Sequence, residues 1–95
     1  GCNIENASFG LTNCAERTAM FKAVSEGVQE FSTIAIASNG APPYPCGACR
    51  QVMLETEKRF GNKTKIILYG TRQCYVIDDG VRALMPLSFD SDSLE

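Results

Sequence analysis

The residues best placed to do chemistry are three cysteines and a glutamate. Cys46 and Cys49 follow a proline in the string Pro45-Cys46-Gly47-Ala48-Cys49. A Cys-x-x-Cys pair of this kind can put both sulfurs on one metal ion within a single helical turn. Cys14 stands in a second string, Cys14-Ala15-Glu16-Arg17. Three thiolates are a soft donor set suited to Zn²⁺, and with three protein ligands a tetrahedral ion keeps a fourth position open for water. Glu16, two residues after Cys14, sits close to such an ion without being needed as a ligand. Its carboxylate can take a proton from water and pass it to a substrate nitrogen and a leaving amine. Arg17 has a charge to answer, because Zn²⁺ with three thiolates sums to −1 and a guanidinium donating to the sulfurs offsets part of that. The competing reading is a closed structural zinc completed by Cys2 or Cys74. Neither has a chelating neighbour in sequence, and both read as small buried residues.

These residues need helix N-termini, whose dipoles favour thiolate over thiol. The sequence supplies two helices. One spans Thr12 or Asn13 to Gly27, with Asn13 and Glu16 spaced as a capping box, an apolar stripe of Ala19, Met20, Ala23 and Val24, and Gly27 as its stop. The other runs from Cys46 to Phe60, behind the helix-incompatible Pro-rich segment Ala41–Pro45, with Val52, Met53 and Phe60 inward and Gly61-Asn62 closing it. On this helix Arg50 and Gln51 read as surface positions. Strands are expected at Thr33–Ala37 and Lys65–Tyr69, both β-branched runs closed by Gly-containing turns. Cys2, Ile4 and Asn6 alternate with Asn3, Glu5 and Ala7, so residues 1–7 read as a further strand. Cys74–Asp78 and Val81–Leu84 flank Asp79-Gly80 and read as a hairpin, and residues 86–95 hold one short helical turn. Helices alternating with strands give an α/β fold with a partly parallel sheet.

Composition narrows the chemistry further. The 95 residues make one domain, residues 1–95, and 44% of them are hydrophobic. Nine Lys and Arg against eleven Asp and Glu leave a net charge of −2 without a basic stripe, which argues against nucleic-acid binding. The chain has no histidine, which removes imidazole bases and His-ligated metals. No apolar run suits a membrane span, and the first residues lack the pattern of a secretory signal. Five cysteines, an odd number, fit metal or redox chemistry in the cytoplasm better than a disulfide framework.

Cys14-Ala15-Glu16-Arg17 and Pro45-Cys46-Gly47-Ala48-Cys49-Arg50-Gln51 together carry the zinc-deaminase signature, three cysteines with a non-ligating glutamate. With Gly1-Cys2-Asn3-Ile4-Glu5-Asn6-Ala7-Ser8 and the ending Leu84-Met85-Pro86-Leu87-Ser88-Phe89, the chain resembles the small, Cys₃-zinc, homotetrameric cytidine deaminases. The resemblance implies a three-layer α/β/α sandwich with a mixed sheet. It also implies that the family's N-terminal helix and first strand or strands precede the point where this chain begins. It assigns Zn²⁺ to Cys14, Cys46 and Cys49, proton transfer to Glu16, and the ribose hydroxyls to Asn3 and Glu5. The backbone of Ala15 would meet the pyrimidine carbonyl, Phe89 would stack on the base from a neighbouring subunit, and Arg17 would donate to ligand sulfurs. Phe9 stands where many relatives carry tyrosine. The implied reaction is hydrolytic deamination of cytidine and 2′-deoxycytidine to uridine and 2′-deoxyuridine, in pyrimidine salvage, by a homotetramer or homodimer that shares its active sites between subunits. Two other readings are deamination of another nucleoside-like heterocycle, such as a nucleoside antibiotic, and a non-catalytic zinc-stabilised fragment.

Overall fold

Thr33–Ala37 and Lys65–Tyr69 form strands β1 and β2, as their β-branched composition predicts, and Cys74–Ile77 forms β3. The computed structural model describes residues 1–94. β1 and β2 pair in parallel, from Thr33 opposite Lys65 to Ala37 opposite Tyr69. β2 and β3 pair antiparallel, from Ile66 opposite Ile77 to Tyr69 opposite Cys74, so the sheet order is β1-β2-β3. The parallel pair requires a crossover, and helix α2, Gly47–Phe60, provides it. The other helix, α1, is Ala15–Ser25.

The sheet is two-sided in chemistry as well as in geometry. Ile36, Ile66 and Leu68 point to one face and are buried with Met20 of α1 and Cys49, Met53 and Leu54 of α2. Both helices therefore cover that face. Thr33, Ala35, Ala37, Lys65 and Tyr69 point to the other, and all are exposed. The described residues thus supply a mixed sheet and the helical layer on one side of it. Beyond the expected stripes, the core takes in Leu54, fully buried, whereas of the α1 stripe only Met20 is buried. Phe60 packs edge-on against Phe31, with ring centroids 5.8 Å apart.

Three local expectations are corrected. Residues 1–7 form no strand of the sheet; Ile4 and Asn13 exchange backbone hydrogen bonds of 2.8 and 2.9 Å as an isolated bridge. The capping box is absent, since α1 starts one residue later than Asn13 would allow, with Cys14 as N-cap and no side-chain cap from it. The hairpin about Asp79-Gly80 is absent too, because Val81–Leu84 is a 3-10 turn whose Val81 is fully buried. Gly80 is needed for a different reason. Its φ is 79°, and a Cβ there would collide with the Glu57 carboxylate. The buried Glu57 accepts the amides of Thr64 and Val81 at 2.9 and 3.1 Å, tying the end of α2 to the approach to β2 and to the 3-10 turn. The expected short turn of helix near the end is Ser91–Leu94.

Both helix N-termini lie at the edge of the sheet where β1 ends. The chain leaves β1 at Ala37, passes through residues 38–46 and enters α2, while α1 starts beside the same strand end. Ligands in open α/β sheets settle at this carboxyl edge of the strands.

Candidate active site

Cys46 is the N-cap of α2, with extended backbone angles, and its Sγ accepts the Cys49 amide at 3.4 Å. Pro45 cannot continue a helix backwards and has no amide to satisfy, so the helix opens sharply at this residue. Cys14 occupies the same position on α1, as its N-cap. The two caps bring the sulfurs together. Cys14 Sγ and Cys46 Sγ are 3.7 Å apart, Cys46 Sγ and Cys49 Sγ 3.4 Å, and all three lie within 4.8 Å of one another. Tetrahedral Zn²⁺ with bonds of about 2.3 Å separates its sulfur ligands by about 3.8 Å. The trio therefore fits zinc in both donor chemistry and spacing. Among the described residues it is the one such group, and Cys2 and Cys74 stand outside it. Both are exposed, in contrast to the burial expected of them, so nothing closes the site with a fourth thiolate.

The three thiols differ in their surroundings. The Cys49 amide donating to its sulfur holds Cys46 below the ordinary thiol value. Burial pushes Cys49 well above it, and the neighbouring Cys46 thiol and Glu16 carboxyl push in the same direction. Glu16 thus faces the sulfur cluster from the first turn of α1. Arg17 Nη2 donates to Cys14 Sγ at 3.4 Å and to the Thr12 carbonyl at 3.4 Å. Contact with Cys14, and then with Cys49, holds the Arg17 guanidinium above its ordinary value. Its Nε is buried without a partner among the described residues.

Glu16 also lines a cavity of about 360 Å³, shared with Gly1, Asn3, Ala15, the inner run Ile34–Ser38 and Pro43. Asn3 is placed there by a bond invisible in the local sequence: its Oδ1 accepts the Ala15 amide at 2.8 Å, twelve residues away. Asn3, rather than Asn13, therefore supplies the side-chain acceptor at the start of α1. The bond leaves the Asn3 amide group without a partner among the described residues and occupies the Ala15 N–H, which meets a substrate carbonyl only by sharing that hydrogen. Glu5 is exposed and is not part of the cavity wall. Phe89 is 58% exposed and stands apart from the cavity, its carbonyl accepting from Gln51 Nε2 at 2.8 Å. Arg50 and Gln51, expected at the surface, are both half-buried and bonded to backbone carbonyls.

Residues 1–61 match the family model described as the cytidine and deoxycytidylate deaminase zinc-binding region. The chain belongs to the cytidine and deoxycytidylate deaminase family. It is 43% identical over 95 residues to a cytidine deaminase of Sporosarcina psychrophila, covering 99% of this chain and 67% of that protein. With a cytidine deaminase of Halalkalibacterium halodurans the identity is 47% over 95 residues, covering 99% and 69%. The fold is similar to the crystal structure of a cytidine deaminase from Burkholderia pseudomallei, at a TM-score of 0.81 and 42% identity, over 94% of this chain and 69% of that one. The three-cysteine cluster lies within the span of the family's zinc-binding region, so Zn²⁺ is the metal this deaminase domain is built to bind.

Proposed function

We propose that the protein hydrolyses cytidine and 2′-deoxycytidine to uridine and 2′-deoxyuridine with release of ammonia, a reaction of pyrimidine salvage in the cytoplasm. The observation that carries this is the Glu16 carboxyl, set between a three-sulfur zinc site and a cavity large enough for a small polar ligand. The cytidine deaminases it resembles over 99% of its length support the same choice of substrate.

Cys14, Cys46 and Cys49 hold the metal, and bound zinc supplies a Lewis acid that makes water a competent nucleophile near neutral pH. Glu16 takes one proton of the attacking water and delivers it to N3 of the pyrimidine as C4 is attacked; it then takes the remaining proton from the new C4 hydroxyl and delivers it to the amine as the C4–N bond breaks and the C4 carbonyl forms. Water is consumed and ammonia released, so the exchange balances. Asn3 offers its amide hydrogens to a ribose hydroxyl while its oxygen stays on Ala15. The family resemblance assigns the other hydroxyl to Glu5 and the pyrimidine carbonyl to the Ala15 amide, which would share its hydrogen with Asn3 Oδ1. Arg17 withdraws charge from the Cys14 sulfur, which otherwise weakens the metal as an acid. Phe89 stacks on the base bound by a neighbouring subunit in a homotetramer or homodimer.

Ammonia release from a panel of cytidine, 2′-deoxycytidine, their 5′-monophosphates and base-modified analogues tests the proposal. Turnover of the two nucleosides is expected. Turnover confined to another heterocycle, or stoichiometric zinc without turnover of any of them, contradicts it.

A further inference from the structure

One arginine side chain fixes the peptide plane that precedes the most exposed of the three sulfur-bearing residues. Cys46 is exposed, while Cys14 is half-buried and Cys49 fully buried. Its sulfur is held in place by the backbone of a segment, residues 42–46, that has no regular structure of its own. The direction of its Cα–Cβ bond depends on its φ and ψ, which are set by the peptide planes before and after it. Arg50 Nε donates to the Pro45 carbonyl at 2.8 Å and holds the plane before. The plane after Cys46 is held by the first-turn helical bond from the residue 50 amide to the Cys46 carbonyl at 2.9 Å, which any non-proline side chain at this position leaves in place. Pro45, without an amide, brings no hydrogen of its own to the segment.

The far end of the same guanidinium is anchored. Arg50 Nη1 donates to the Leu84 carbonyl at 2.9 Å, across 34 residues. Leu84 closes the 3-10 turn that begins at Val81, whose amide is bonded to the buried Glu57 carboxylate. Arg50 has no carboxylate partner among the ion pairs of the described residues. A rigid planar fork donating in two directions to carbonyls is a task for arginine that lysine cannot reproduce.

We infer that Arg50 is a positioning residue of the zinc site, holding Cys46 in its ligating conformation by locking Pro45 to the Val81–Leu84 turn. The role rests on Cys14, Cys46 and Cys49 being the zinc ligands. It differs from that of Arg17, which touches a ligand sulfur directly and acts on charge.

The test is the rate at which zinc-loaded protein surrenders its metal to an excess of a chromogenic chelator, alongside thermal unfolding of the metal-free form. Arg50→Met and Arg50→Lys are compared with wild type and with Arg59→Met, which removes only an exposed pair with Glu55 on the same helix. Partners that orient ligands typically contribute 10- to 100-fold in metal affinity, so Arg50→Met should release zinc about 10- to 100-fold faster, with Arg50→Lys between it and wild type. Arg59→Met should release it at the wild-type rate. Release from Arg50→Met within about twofold of wild type, whatever its stability, overturns the role; if that variant does not fold, the same criterion applied to Arg50→Lys decides. A wild-type protein that takes up no zinc overturns the site assignment itself, and this role with it.

Discussion

Asn3 commits its side-chain oxygen to the first amide of α1 and keeps its nitrogen for the cavity, so its two halves can be tested separately. Asn3→Ala removes the acceptor from Ala15 and should destabilise the fold by about 1 kcal/mol, the usual value of a lost N-terminal cap. Asn3→Asp keeps the acceptor and should retain thermal stability close to wild type. Both variants lose the amide donors, so both should show a raised KM for the nucleoside. A normal KM for Asn3→Asp would remove Asn3 from the binding site. Arg17 gives the opposite split. Arg17→Ala should lower turnover by about 10- to 100-fold while zinc remains largely bound, because the guanidinium tunes a ligand rather than serving as one. Unchanged turnover would show that the thiolate charge needs no such partner. The cluster itself was legible in the sequence, since Cys-x-x-Cys at a helix start and Cys14 with Glu16 are both local patterns. Asn3 on Ala15 and Arg50 on Leu84 were not, because bonds across 12 and 34 residues leave no local trace.

At the scale of elements, β1, β2 and α2 lie where their composition places them, because each has a buried face and a clear stop. Gly61, at φ 76°, ends α2 in the left-handed region as the pattern Gly61-Asn62 predicts. The second half of the expected hairpin failed because Asp79-Gly80 carries the same letters for a different purpose. Gly80 makes room for a buried carboxylate, and Val81 turns into the core. Gly80→Ala therefore meets both a positive φ and the Glu57 oxygens, and should destabilise the protein by about 2 kcal/mol in denaturant unfolding. A near-neutral substitution would mean that the Glu57 bridge yields easily. The segment after this turn is latched by charge, with Arg82 to Asp90 at 3.1 Å and Lys58 paired with Asp92 at 2.6 Å. The Arg82 bond holds the Asp90 carboxyl below the usual aspartate value. A carboxyl depressed in the folded state stabilises docking fully above its unfolded value and loses that contribution as pH falls through the folded one. Amide exchange of residues 90–94 should thus accelerate in that acid range and in high salt. Exchange independent of both would show that the latch is not electrostatic.

For the whole molecule, one sheet face and the ends of the chain leave large apolar groups in solvent, with Phe9 89% and Leu87 104% exposed. If the molecule assembles with shared sites, sedimentation should give a multiple of the chain mass, and Leu87→Asp should shift it towards the single chain with loss of turnover. Among the described residues Glu16 is the one carboxyl both beside the sulfur cluster and on the cavity wall. The decisive measurement is ammonia release from cytidine by Glu16→Gln, with zinc quantified in the same sample. Zinc bound as in wild type with turnover lost by at least about 10²-fold, the lower range for a positioned acid–base group, is the predicted result. Turnover retained at near the wild-type rate in zinc-loaded Glu16→Gln would contradict it.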